Sequence, residues 1–222
     1  MISIKNLYFS YSKDSNYVID DLNLHIKNGS YTSILGQNGT GKSTLIKLIL
    51  GLLKPVKGNI TISTNKIGYV PQSTENFNFA FPITVRELLL CHAKSLKLKS
   101  PESTVIKSLK LLGMENFQKN LIGSLSGGQK QKIFIARSLI GNPELLILDE
   151  PSTGVDVKSQ KEIYGFLKKI NKENNVTIIC VEHNLKAAYS NSTHILNFHA
   201  ETGSLLNINE FLRNNMEVVN ND

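Results

Sequence analysis

Apolar and polar residues alternate at Ile2 and Ile4, and again at Leu22, Leu24 and Ile26 against Asn23, His25 and Lys27. That is the period of half-buried antiparallel strands. Leu145–Leu148 is a continuous apolar run, as suits a parallel strand buried on both faces, and Tyr31–Leu35 and Val176–Val181 also read as short buried strands. Short strands are expected at Ile60–Ile62 and Ile67–Val70, the second cut by Pro71. Between the strands the pattern turns helical. Leu45, Ile46, Leu48, Ile49 and Leu52 mark a helix stopping near Gly51, and Thr84-Val85-Arg86-Glu87 is a capping box opening a helix with Leu88, Leu89 and Leu96. Ser100-Pro101 starts another, with Val105, Leu109 and Leu112 on one face. Ile133, Ala136 and Ile140 define a helix ended by Gly141-Asn142-Pro143, and Asp156 caps one with Ile163, Phe166, Leu167 and Ile170. Thr193–Phe198 reads as an edge strand and Asn209–Leu212 as a short terminal helix. The stretch from about Ser73 to Leu125 is thus all-helical inside an otherwise α/β chain, which marks an inserted lobe.

The strand at Tyr31–Leu35 runs into Gly36-Gln37-Asn38-Gly39-Thr40-Gly41-Lys42-Ser43-Thr44 and then into a helix. This fits G-x-x-x-x-G-K-[ST] in its strand–turn–helix context. A glycine-rich turn at a helix N-terminus aims unpaired N–H groups at one point, where a polyphosphate satisfies both them and the helix dipole. Lys42 adds a point charge for the β- and γ-phosphates, and the Ser43 hydroxyl is placed to hold Mg²⁺. Two further buried strands end in chemistry, one in Asp149-Glu150 and one in Glu182-His183. Acids at the end of a buried strand are costly without a metal or a reaction to serve. Strand ends carrying Gly36, Asp149 and His183 are expected to meet at one edge of a parallel sheet, where open α/β sheets bind ligands. Tyr11 precedes the polar loop Ser12-Lys13-Asp14-Ser15-Asn16 and is either a stacking platform for a purine or a core residue. His194 and His199 share a strand with no third ligand nearby, which points to a structural role.

The chain has 222 residues, 41% hydrophobic and 19% charged, an ordinary globular composition. No apolar run is as long as a membrane span, and Met1–Asn6 lacks the basic and apolar regions of a signal peptide, so a cytosolic protein is expected. Cys91 and Cys180 form no ligand pair and are expected reduced, Cys180 as a small core residue. The net charge of +7 would suit nucleic acid, but the lysines are scattered and neither a basic arm nor a zinc motif accompanies them. No nucleic-acid partner is expected. Anionic lipid head groups or an acidic partner account for the charge equally well.

In order, Gly36–Thr44, Gln72, Leu125-Ser126-Gly127-Gly128-Gln129, Leu148-Asp149-Glu150-Pro151, Thr153-Gly154-Val155-Asp156 and His183 resemble the motifs of the ATP-binding-cassette (ABC) ATPases. The resemblance runs from Tyr11 to His183. It implies an α/β fold, a P-loop NTPase core with a parallel sheet, an N-terminal antiparallel β subdomain and an inserted α-helical subdomain. The core and antiparallel strands would occupy 1–72 and 126–222, and the helical part about 73–125, all within one ABC ATPase domain. It further implies a homodimer in which two ATP molecules lie head to tail between the phosphate loop of one subunit and the signature of the other. In that scheme residues Gly36 to Thr44 hold the phosphates, and Ser43, Gln72 and Asp149 arrange Mg²⁺. Glu150 is the general base, assisted by His183, Gln72 and Lys42, and Tyr11 stacks on adenine. Ser126, Gly127, Gly128, Gln129 and Asp156 reach the nucleotide from the second copy.

The lobe is far too short for the coiled coil of the DNA-repair members, and a single cassette argues against the tandem translation factors. A transporter subunit is implied, peripheral on the cytoplasmic face of the membrane, serving integral-membrane permease subunits and, through the complex, an extracytoplasmic substrate-binding protein. Phe81-Pro82-Ile83-Thr84-Val85-Arg86-Glu87 and Thr153-Gly154-Val155-Asp156 look like the zinc/manganese importer branch. The alternatives are another substrate, an exporter, or a non-transport cassette acting as an ATP-gated scaffold. Phe77, Phe79 and Phe81 either line the permease groove or pack the helical lobe. Three positions depart from the family pattern: Glu182 and Asn184 around the histidine, and Lys132 behind the signature.

Overall fold

The structure is a computed structural model and describes residues 1–12, 16–72, 77–199 and 202–214. The middle of the expected polar loop, Lys13 to Ser15, and the start of the expected lobe, 73–76, lie outside the described residues. In chain order the elements are β1 (Ile2–Phe9), β2 (Ile19–Ile26), β3 (Tyr31–Leu35), α1 (Lys42–Ile49), β4 (Lys57–Ile62), β5 (Ile67–Val70), α2 (Val85–Ser95) and α3 (Pro101–Leu111). They continue as α4 (Gly127–Leu139), β6 (Leu145–Asp149), α5 (Val157–Asn174), β7 (Thr177–Val181), α6 (Leu185–Asn191), β8 (His194–His199), β9 (Thr202–Asn207) and α7 (Ile208–Asn214). They fall into two compact units, Met1–Asn65 with Thr177–Asp222, and Lys66–Val176.

In the first unit β1 lies between β2 and β4, antiparallel to both. The alternation read from the sequence is the burial pattern: Leu22, Leu24 and Ile26 point inward, while Asn23 and His25 are exposed. The stretch Tyr31–Leu35 is buried at every position because β3 has parallel neighbours on both sides, β7 and β8. Tyr31 pairs with Ile178 and Ile34 with Val181, so β3 and β7 end side by side. Helices α6 and α7 bring Ala188 and Phe211 against Leu35 and Ile195, each removed from water. Burial of such side chains contributes roughly 1.5–3 kcal/mol apiece for the large ones.

Thr193–Phe198 was expected to be an edge strand. It is interior: β9 pairs antiparallel along its outer side, Leu205 opposite Leu196 and Leu206 opposite Ile195. Thr202-Gly203-Ser204-Leu205-Leu206-Asn207 hides its strand character, because two adjacent leucines after Gly203-Ser204 make no alternation. Leu52, placed on the first helix by its spacing, lies beyond Gly51 and is 66% exposed.

In the second unit β5 and β6 are parallel, with Val70 opposite Leu148. Helix α3 packs on α2 and α4, and α4 packs in turn on β5 and α5. Pro101 stands at the first position of α3, where its missing N–H costs nothing. Leu88 and Leu89 of α2 are buried as the spacing requires, whereas Leu96, just past its end, is 45% exposed.

The capping box of α2 is complete. Glu87 N–H donates to Thr84 Oγ1 at 3.2 Å, and the Thr84 N–H and hydroxyl donate to Glu87 Oε2 at 2.8 and 2.6 Å. These bonds hold the Glu87 carboxyl below the usual range. A depressed carboxyl pKa stabilises above the unfolded value, about 4.3 for Glu, and that contribution is lost as pH falls through the folded value. Thr84→Ala is expected to destabilise the chain by about 1 kcal/mol at neutral pH. Urea unfolding followed by circular dichroism should show that the gap from the unsubstituted chain narrows on acidification below about pH 4.

Candidate nucleotide-binding site

In the first unit the turn between β3 and α1 is shaped to receive an anion. Gly41, the N-cap of α1, sits in the left-handed region at φ 98° and offers no side chain to cap the helix. No acidic residue stands in the first turn, so the positive end of α1 is left for an outside group. The Lys42 side chain is drawn back over the loop, its Nζ donating at 2.8 Å to the carbonyls of both Gly36 and Gln37, and the residue is only 6% exposed. The cation is therefore held within the turn. The loop itself is braced from β8: a Cβ at Gly36 would come within 2.3 Å of the Phe198 carbonyl oxygen, an approach only glycine permits.

Tyr11 and Thr44 are joined by a 2.8 Å hydrogen bond between their hydroxyls. The Tyr11 ring meets Phe9 edge-on at 5.0 Å and is 63% exposed, so one aromatic face is left to solvent beside the phosphate loop. Tyr11 is therefore not a core position. His183 follows β7, and the N–H of Glu182 donates to the Ile34 carbonyl at 3.1 Å, which ties the histidine segment to the strand that delivers the loop. Glu182 is buried and accepts a hydrogen bond from the Cys180 thiol at 2.9 Å. Asn184 caps α6 by accepting the Ala187 N–H at 3.0 Å, a task aspartate would do equally well. His194 Nδ1 contacts Thr193 Oγ1 at 2.9 Å, and burial pushes its pKa down.

In the second unit β5 and β6 end as parallel neighbours, so Gln72 and the pair Asp149-Glu150 leave the same end of one strand pair. Asp149 is buried at 4% exposure; burial, and then the charge of Asp149, raise the pKa of Tyr69. Glu150 adopts φ 52°, a left-handed conformation that costs a non-glycine residue roughly 1–2 kcal/mol. It is held there by the Thr153 N–H, which donates to its carbonyl at 3.2 Å, and by the Thr153 hydroxyl, which donates to Oε2 at 3.1 Å. Gln160 staples the same turn, donating to the Ser152 and Val155 carbonyls at 3.1 and 2.8 Å. Strain of this kind persists where the surroundings over-determine it, and it clusters at working sites.

The signature opens α4 with a second capping box: Ser126 Oγ accepts the Gln129 N–H at 3.3 Å, and Gln129 Oε1 accepts the Ser126 N–H at 3.0 Å. The Ser126 hydroxyl thus keeps its own proton to donate, and the Gly127 and Gly128 N–H groups remain as first-turn donors. Asp156 caps α5 through the Ser159 N–H at 3.0 Å, and the Ser159 backbone and side chain hold its carboxyl below the usual range. The two helix starts touch. A Cβ on Gly128 would lie 2.4 Å from Ser159 Oγ and 2.6 Å from Ser159 Cβ. Lys132 is ion-paired with Glu162 of α5, and that pairing lowers the Glu162 pKa.

Phe77 and Phe79 are half-buried, their rings 5.0 Å apart and packed on Phe134 of α4, with the Lys130 ammonium 4.5 Å above Phe79. Phe81 is 61% exposed. The bracing roles of Phe198, Thr153 and Gln160 were not legible beforehand, although Thr153 lies in a quoted motif and Phe198 in an expected strand. Ser159, three residues after a capping aspartate, carried a usable signal.

The ABC transporter family profile matches residues 19–153. A Treponema pallidum protein named "Probable metal transport system ATP-binding protein" is 45% identical over 215 residues, covering 95% of this chain and 90% of its own length. The high-affinity zinc uptake system ATP-binding protein ZnuC of Bacillus subtilis is 44% identical over 196 residues, covering 82% of this chain and 84% of its own. Among solved structures, the dimeric post-hydrolysis state of an ATP-binding cassette bound to ADP and Pi superposes with a TM-score of 0.78 at 26% identity, covering 94% of this chain and 99% of that one. The chain belongs to the ABC transporter family as one of its ATP-hydrolysing cassettes, with the P-loop NTPase fold.

Gly128→Ala is expected to destabilise the chain by about 1–3 kcal/mol through overpacking, and Ser159→Gly in the same chain should recover part of that loss. Urea unfolding of the single and double variants checks the coupling.

Proposed function

We propose that this chain is the ATP-hydrolysing subunit that powers import of a divalent metal, zinc first, through a separate membrane permease. The observation that carries the reading is the phosphate loop held ready by its own lysine, in a chain 44% identical to a zinc uptake ATPase along most of its length. Two copies would close head to tail on two ATP molecules, and the complex would engage an extracytoplasmic substrate-binding protein. The chain would sit on the cytoplasmic face of the membrane. Among the described residues no helix is long and apolar enough to cross a membrane, which fits a separate permease.

The loop N–H groups and Lys42 bind the phosphates at the start of α1, releasing the ammonium from the Gly36 and Gln37 carbonyls to the ligand. Tyr11 stacks on adenine with its open face. Ser43, Gln72 and Asp149 supply a hydroxyl, an amide oxygen and a carboxylate, all hard oxygen donors of the kind Mg²⁺ prefers, and they are the residues that would hold it. When bound, Mg²⁺ neutralises charge on the β- and γ-phosphate oxygens. Glu150 takes the proton from the attacking water, and His183 orients that water against the γ-phosphate. Ser126 donates its hydroxyl from the second copy, with the Gly127 and Gly128 N–H groups beside it and Gln129 and Asp156 fixing the turn, so turnover requires the closed dimer. Of the three phenylalanines near Gln72, Phe81 presents its ring to a permease, while Phe77 and Phe79 serve mainly to pack.

Glu150→Gln should retain ATP, trap a dimer in size-exclusion chromatography, and lower hydrolysis by about 10²–10⁴-fold. Unchanged hydrolysis would remove Glu150 from the reaction. Cells lacking the chain should accumulate less zinc by elemental analysis, and the Glu150→Gln chain should fail to restore it. A normal zinc content would send the search to another substrate.

A further inference from the structure

Away from the residues discussed above, α3 and α5 frame an open groove of about 490 Å³ lined by Ser103, Ile106, Lys107, Lys110, Leu111 and Lys169. Three features make it unlike an ordinary solvated helix face. Ile106 and Leu111 are 40% and 48% exposed, so two large apolar side chains face water together in one concavity. Every charged side chain lining it is a lysine, and among the described residues none of the three takes part in an ion pair. The acids closest in sequence are not part of the lining: Glu102 is paired with Arg86, Glu115 lies five residues after Lys110, and Glu173 lies four residues after Lys169.

The chemistry that complements this surface is an apolar side chain flanked by carboxylates. A second copy of the chain is a poor match, since it brings a net charge of +7 to a positive groove. A bilayer presents head groups and acyl chains at no fixed lateral spacing, so it does not select two apolar side chains set among three lysines. A free phosphate would ignore the apolar part altogether. A protein segment fits both components, because an acidic helix or strand presents apolar and charged side chains at fixed spacing.

We propose that this groove docks an acidic amphipathic segment of a partner protein, its apolar side chains against Ile106 and Leu111 and its carboxylates on Lys107, Lys110 and Lys169. The ion pairs set approach and orientation, while the apolar contact sets residence time. The segment would lie on the unit that carries the signature.

The test uses the full chain and a fluorescein-labelled helical peptide with Leu and Phe on one stripe and Glu on both sides of it, read by fluorescence anisotropy. Binding should weaken about 10–100-fold for the Lys107→Glu/Lys169→Glu chain and about 10-fold for Ile106→Ser/Leu111→Ser. It should also weaken for a peptide with Ser in place of Leu and Phe, with ATP hydrolysis and circular dichroism of the variants unchanged. Equal binding by the substituted chains overturns the proposal, as does failure of the acidic peptide to bind. Binding of phosphatidylglycerol vesicles through the same lysines, with no apolar dependence, would replace it with a lipid contact.

Discussion

A helix N-terminus without a cap is the constraint on which the nucleotide chemistry depends. Gly41 leaves the first turn of α1 unsatisfied, and no acidic side chain compensates it. The nearby charge turns inward, Lys42 onto the carbonyls of Gly36 and Gln37. The loop is therefore held folded around its own cation by internal hydrogen bonds. Such preorganisation lowers the cost of ordering at the moment of binding. The buried β3 and the close carbonyl of Phe198 keep that turn from relaxing into an ordinary strand–helix connection.

The second unit applies a related device at two other helix starts. Ser126 and Asp156 cap α4 and α5, and the missing side chain of Gly128 lets those starts lie against each other. The turn after β6 is stiffened by its neighbours: Thr153 holds the left-handed Glu150, and Gln160 binds two carbonyls of the following turn. Backbone strain is stored at the proposed base and offset by hydrogen bonds a few residues away. The three departures from the family pattern also find partners. Asn184 caps α6, Lys132 pairs with Glu162, and Glu182 accepts a hydrogen bond from the Cys180 thiol in the interior.

Much of this was legible in advance where a local rule and a periodic pattern agreed. The capping box at Thr84, the proline opening α3 and the buried stretches of β3, β6 and β7 each follow from backbone chemistry within a few residues, whereas the capping box at Ser126 emerged only from the structure. The pattern failed where burial is decided at a distance. Leu205 and Leu206 form a strand only because β8 lies beside them, and that partner is invisible in a run so short. Leu52 and Leu96 obey helical spacing but stand past the helix ends, in water.

By itself the sequence determined the family, the phosphate loop, the acids that end β6 and the histidine that follows β7, because each is a short motif whose chemistry depends on residue type and spacing. Only the tertiary structure decided that Tyr11 leaves an open ring beside the loop, that Phe77 and Phe79 pack on Phe134 while Phe81 stays exposed, and that three lysines surround Ile106 and Leu111 in one groove. Exposure and adjacency of residues far apart in the chain are set by which surfaces remain after the core has formed, and no local pattern encodes that remainder.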